Sequence, residues 1–162
     1  MGTKGTQIVG ENAKEIVDML NRALADEWLA YYQYWVGALV VKGPMRPNVQ
    51  SELSEHANEE LGHAKVLADR IIELGGTPIL HPAELLKKSG CGYDEPKDPH
   101  VLKLLAQNIK GEQCAIVTYN TMLGKIREMK DPITFHIVRK ILEDEVKHEH
   151  DLQDLEEDIK MI

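Results

Sequence analysis

The chain has 162 residues, with 19 basic against 27 acidic side chains, a net charge of −8 and 43 % hydrophobic residues. That is one domain's worth of chain with a sizeable core, and an acidic balance without a Lys/Arg cluster argues against wrapping nucleic acid or coating an anionic membrane. No apolar run approaches the ~18 residues that a membrane span needs, the two cysteines, Cys91 and Cys114, are too few for a disulfide scaffold, and residues 1–10 hold no apolar signal core, so the cytoplasm is the expected compartment.

Apolar residues recur at three- and four-residue spacing nearly throughout, which predicts helices. The first is expected from about Asn12, with Glu15 as a capping-box partner, to Val41, where Lys42-Gly43-Pro44 stops it. The second runs from about Asn48 to Leu74 and ends on Gly75-Gly76. The third starts at Asp98-Pro99, read as a cap followed by proline in the first turn, and runs to about Arg127. The fourth starts with the same pair, Asp131-Pro132, and runs to about Lys160.

Short connections make two antiparallel helical hairpins of these four. Residues 75–97 form a long crossover in which Pro82–Ser89 reads as a short helix. The expected fold is all-α: a four-helix bundle of ferritin-like connectivity in a single domain, 1–162. The halves are alike. An offset of 85 residues carries Glu27 onto Glu112, Tyr34 onto Tyr119, Pro47 onto Pro132, Glu60 onto Glu145 and His63 onto His148, with apolar positions following.

Glu60-Leu-Gly-His63 and Glu145-Val-Lys-His148 are both Glu-x-x-His, which places glutamate and histidine on one face of a helix, one turn apart. Both pairs interrupt inward apolar stripes. Glu27 interrupts the stripe Ile16, Leu20, Ala23, Tyr34, Ala38, and Glu112 the stripe Leu105, Ile109, Tyr119, Ile126. Four carboxylates and two imidazoles then converge in one core with no Lys or Arg on the stripes to pair with them. Uncompensated, that burial would cost many kcal/mol. A glutamate from each of two helices plus Glu-x-x-His from each of the other two is the di-iron or di-manganese carboxylate pattern, and oxygen and imidazole donors suit either metal.

These residues resemble the ferritin-like superfamily over about Asn12 to Ile162, and Ala25-Asp-Glu27-Trp-Leu-Ala-Tyr-Tyr-Gln-Tyr34 resembles the first-helix motif of bacterioferritins. The resemblance implies that Glu60 and Glu145 bridge two irons, that Glu27 with His63 completes one and Glu112 with His148 the other, and that Tyr34 lies beside the pair. The finer likeness is to Dps-like ferritins, or thioferritins. It implies a dodecameric cage that oxidises Fe(II) with hydrogen peroxide or dioxygen and stores the product as mineral. Leu61 stands where bacterioferritins carry the haem-ligating methionine, so no haem is expected. The 14 residues after His148 leave no room for the fifth helix of 24-subunit cages, and DNA binding is not implied.

On residues alone, Cys91 and Cys114 read as two buried thiols, with Cys114 on the face of its helix turned from the metal core, at a position the repeat maps to Leu29 and that fits a residue under the crossover, where Cys91 could meet it. The thioferritin resemblance instead implies a redox pair near the site. His56, a turn before Glu60, either lines the site or is hydrogen-bonded elsewhere. Trp28, Tyr32 and Trp35 form a second face on the first helix, read as a subunit interface. Two rival functions stand beside the cage: a rubrerythrin-like peroxidase or manganese catalase without storage, and a metal-free helical stress-protection module.

Overall fold

Four long amphipathic helices lie side by side, each turning one apolar stripe into a shared core. The computed structural model describes residues 2–162. Its α-helices are α1 (Thr3–Val9), α2 (Ala13–Val40), α3 (Arg46–Glu73), α4 (Leu85–Lys88), α5 (Val101–Glu128) and α6 (Pro132–Lys160). Helix α2 packs chiefly on α3 and α5 on α6, so each hairpin forms as the sequence predicts, and the crossover between α3 and α5 carries a 3-10 turn followed by α4. Among the described residues there is no strand beyond one isolated bridge, and no helix is long and apolar enough to cross a membrane.

The helix ends show which local signals govern. Asp131 caps α6, its carboxylate accepting from the backbone N–H of Ile133 and Thr134 at 3.1 Å each, with Pro132 following in the first turn. Helix α3 closes through the N–H of Gly76, which donates to the Ile71 carbonyl, with Gly75 in the left-handed region at φ 81°. Gly76 is also required by crowding, since a Cβ there would meet Val17 Cγ1 at 2.6 Å.

Three local features differ from the sequence reading. Helix α5 does not start at Asp98-Pro99, because the Pro99 carbonyl accepts from Lys42 N–H and Val101 N–H donates to Lys42 O. That bridge holds the chain extended, so the helix starts at Val101, with His100 as its cap accepting from Leu102 N–H. Asn12 and Glu15 form no capping box, because a 3-10 turn over Gly10–Asn12 already leads into α2. Instead Asn12 Nδ2 donates to the Met129 carbonyl. Helix α1 was not foreseen, since seven residues with only Ile8 and Val9 apolar carry no usable period; it buries Val9 at the end of the core.

The core has two apolar parts. One holds Leu20, Leu24, Leu67, Ile71, Ile126 and Ile141, and the other Leu53, Leu104, Leu105, Leu152 and Ile159. The polar residues of the four stripes lie between them.

Candidate metal centre

Each long helix delivers one polar step of an otherwise apolar stripe to mid-bundle: Glu27 from α2, Glu60 and His63 from α3, Glu112 from α5, Glu145 and His148 from α6. All six are buried, none more than 8 % exposed. They form two overlapping groups, Glu27, Glu60, His63 and Glu145 in one and Glu60, Glu112, Glu145 and His148 in the other, so that Glu60 and Glu145 belong to both.

The atoms are placed in pairs. His63 Nδ1 lies 3.4 Å from Glu27 Oε2, 3.3 Å from Glu60 Oε2 and 3.4 Å from Glu145 Oε1. His148 Nδ1 lies 3.3 Å from Glu60 Oε1, 3.9 Å from Glu112 Oε1 and 3.3 Å from Glu145 Oε2. Glu60 and Glu145 thus each turn one oxygen toward either imidazole. Glu27 Oε2, Glu60 Oε1, both Glu145 oxygens and His148 Nδ1 are buried without a hydrogen-bond partner. Buried polar atoms are rarely left so. Arg70, the buried cation of α3, does not reach them, being engaged with Asp131, Thr134 and Glu73.

Without a cation, protons must balance this charge. Burial, then the charges of Glu60 and Glu145, push the Glu27 carboxyl well above its usual range, and burial with Glu145 and Glu60 does the same to Glu112. Burial also works against a charged Glu60, but His148, His63 and Glu27 outweigh it and hold that carboxyl below the usual range. Burial opposes charge on the histidines too. The surrounding carboxylates win, holding His63 well above its ordinary value and His148 at about 11. Two divalent cations cancel four carboxylate charges and take up the unpartnered atoms, so the donor set fits a pair of such ions.

Further residues hold these groups in place. Tyr34 donates to Glu112 and Tyr119 to Glu27, each from the opposite half of the chain. The outer nitrogens of the imidazoles also meet carboxylates across the bundle. His63 Nε2 is 3.2 Å from Asp144 Oδ2, and His148 Nε2 is 2.6 Å from Glu59 Oε2. Such partners fix tautomer and ring orientation. Tyr119, Glu59 and Asp144 were not singled out as site residues in the sequence. The repeat could have found all three, because the offset that pairs Tyr34 with Tyr119 also pairs Glu59 with Asp144.

A cavity of about 390 Å³ reaches Glu27, Glu60, Glu112 and Glu145 from between α2 and α5, roofed by the crossover residues Cys91–Asp94. Cys91 and Cys114 are joined by a disulfide, with Cα atoms 5.8 Å apart, and both line this cavity. Cys114 thus meets Cys91 under the crossover, on the flank of α5 that borders the gap between α2 and α5. Asp26, unremarked in the sequence, anchors the roof by accepting from Ser89 Oγ and from the N–H of Gly90 and Cys91 at 2.9 Å each. Gln33 adds a second tie, accepting from Asp94 N–H. Trp28, Tyr32 and Trp35 are 39–48 % exposed along the outside of α2. His56 is 1 % exposed, with neither ring nitrogen hydrogen-bonded, stacked on His148 at 4.1 Å.

Comparison with known proteins agrees with this architecture. Residues 17–162 match the family described as the ferritin-like domain. The solved structure of a bacterioferritin-related protein from Bacteroides fragilis, described as a dodecameric thioferritin, is 46 % identical, superposes with a TM-score of 0.94 and is matched over 99 % of this chain and 96 % of that one. A DNA protection during starvation protein of Pyrococcus furiosus is 28 % identical over 144 residues, covering 86 % of this chain and 76 % of the relative. A bacterioferritin of Rhodobacter capsulatus is 26 % identical over 134 residues, covering 83 % and 78 %.

Proposed function

The chain belongs to the ferritin-like domain family, and from that premise we propose that it oxidises Fe(II) at a two-cation carboxylate centre inside each subunit and stores the ferric product within a cage of identical subunits. The observation that carries the reading is the pair of overlapping donor groups sharing Glu60 and Glu145. In this reading Glu60 and Glu145 bridge the two cations, Glu27 and His63 complete one position, and Glu112 and His148 the other. A cation pair held there would supply the electrons that an oxidant takes, and the four carboxylates would offset the ferric charge that results. The chain's own part is to hold six donors in register, to orient both imidazoles through Asp144 and Glu59, and to keep the site dry apart from the cavity under the crossover. Tyr34 lies against Glu112, where it can supply a hydrogen bond or an electron to the site. The donor types admit manganese as well as iron. Elemental analysis of purified protein decides between them.

Peroxide is the proposed oxidant beside dioxygen, because the Cys91–Cys114 pair lines the cavity that reaches the centre, and in its reduced form two thiols would give two electrons to one peroxide, forming this disulfide and two waters. The cage reading draws on the dodecameric relative from Bacteroides fragilis and on the exposed aromatic stripe of α2. The test is an anaerobic Fe(II) titration followed by addition of peroxide or dioxygen, monitored optically for ferric product. Wild type should turn over rapidly with at least one oxidant, and E60A/E145A should lose that phase. A variant oxidising iron at the wild-type rate sinks the assignment. A particle of subunit or dimer mass in size exclusion at micromolar concentration overturns the cage.

A further inference from the structure

Beyond the paired centre lies a third set of donors. Moving along α3 toward Arg46, His56 stands one turn before Glu60 and Glu52 one turn before that, while Asp151 stands one turn after His148 on α6. One ligand atom from each of Glu52, His56 and Asp151 falls within 4.8 Å of the others.

Two independent observations separate this set from an ordinary acidic surface cluster. His56 is fully buried among Tyr34 and His148, yet neither of its ring nitrogens makes a hydrogen bond; Nε2 lies 3.1 Å from Glu52 Oε1, off the hydrogen-bonding direction. A buried imidazole is normally satisfied by a directed acceptor. The internal repeat supplies the second. At the common offset the mates of Glu52, His56 and Asp151 are Ile137, Ile141 and Val66. Ile141 is a buried member of the apolar core. One half of the molecule thus carries three metal-donor side chains where the other carries three aliphatic ones. At the buried position shared by His56 and Ile141, packing alone would favour the aliphatic side chain.

We propose that Glu52, His56 and Asp151 form a third divalent-cation site in the subunit. One imidazole and two carboxylates, with water completing the shell, suit Fe(II), Mn(II), Co(II) or Zn(II). Glu52 and Asp151 are 27 % and 30 % exposed, so the site opens to solvent on one side, while His56 contacts His148 on the other. A cation held there stands one imidazole ring away from the paired centre. Its role as a staging position for Fe(II) rests on the proposed function; the existence of the site does not. Lys147 is the competitor, with Nζ 3.7 Å from Asp151 Oδ2 and its side chain largely exposed and free to swing out.

The test is anaerobic Co(II) titration of the assembled protein, read by visible absorption and calorimetry, on wild type, E52Q/D151N and K147M. Wild type should bind about three equivalents per subunit and E52Q/D151N about two. K147M should bind the third equivalent severalfold more tightly, because its rival cation is gone, an effect that a purely structural role for Glu52 and Asp151 would not produce. Equal stoichiometry in wild type and E52Q/D151N, or no change in affinity in K147M, overturns the site. The equivalents retained by E52Q/D151N report on the paired centre alone. Two uphold that centre and none overturns it, whichever way the outer position falls.

Discussion

Tyr34 reaches from the first half of the chain to donate its phenolic hydrogen to Glu112 in the second, and Tyr119 returns the same contact to Glu27. Each tyrosine is buried, and each holds a carboxyl that burial would otherwise leave unsatisfied. Removing either hydroxyl strands its glutamate. Y34F and Y119F should each destabilise the metal-free protein by about 1–2 kcal/mol, a fall in Tm of several degrees. Differential scanning calorimetry checks it, and an unchanged Tm in both variants would mean the hydroxyls bear no strain.

Metal should act as a stabiliser of this chain. The native state gathers six donors that the unfolded chain scatters, so cations bind it selectively. At one hundred times the dissociation constant the gain is about 2.7 kcal/mol. Excess Fe(II) or Mn(II) under anaerobic conditions should raise Tm in wild type well beyond any rise in E60A/E145A, which keeps only the outer donors. No rise in wild type would mean the six residues do not act as a site.

Asp131 and Arg70 form the other buried ionic contact, with Arg70 Nη2 2.9 Å from Asp131 Oδ2 and both side chains nearly inaccessible. Asp131 also caps α6 and accepts from Thr134 Oγ1. D131A leaves a buried guanidinium without its partner and should cost about 3–5 kcal/mol. Burial alone would raise the Asp131 carboxyl, but Thr134 and Arg70 outweigh it and hold it below the ordinary value. Its contribution is therefore complete above the unfolded value near pH ~4 and fades as pH falls through the lower folded value. Denaturant melts of wild type and D131N should differ most at neutral pH and converge in acid. A gap that widens below pH ~4 would contradict the assignment.

The disulfide ties the cavity roof to α5. Its cysteines are 23 residues apart in sequence, a closure that stabilises by roughly 3 kcal/mol on the chain-entropy model. Reduction, or C91S, should lower Tm by several degrees and change peroxide-dependent turnover while leaving particle size unaltered. Thiol counting on denatured protein should give none before reduction and two after. Two free thiols from untreated protein, with C91S kinetics matching wild type, would reduce the pair to packing.

The sequence carried the bundle because its signals are local. Stripes such as Leu53, Ala57, Glu60, His63, Leu67 mark an inward face by spacing alone, and Asp131-Pro132 and Gly75-Gly76 mark ends by backbone chemistry. Asp98-Pro99 misled because a long-range bridge to Lys42 overrode the same local signal. The six central donors were legible because polar residues broke apolar stripes at matching places in two repeats. His56 was legible only as a residue one turn from Glu60, since its burial comes from Tyr34 and His148, which the folded bundle brings to it. Asp26 was hidden by its neighbour: next to Glu27 it looks like one more acid, and its work on Ser89–Cys91 depends on where the crossover lies.

The two halves of the chain exchange contacts in matched pairs. Tyr34 to Glu112 is answered by Tyr119 to Glu27, and His63 to Asp144 by His148 to Glu59. Each donor group borrows from the other half: Glu145 serves the position built by Glu27, Glu60 and His63, and Glu60 serves the one built by Glu112, Glu145 and His148. A lone helical hairpin of this kind could complete neither position, but two copies related by a dyad would complete both, since a self-complementary face supplies every residue in duplicate. The chain is thus built as two like hairpins, each of which completes the other's donor group. The crossover has no equivalent within either hairpin, and it alone brings the roof of the cavity and one cysteine of the pair to a single side of this symmetric exchange.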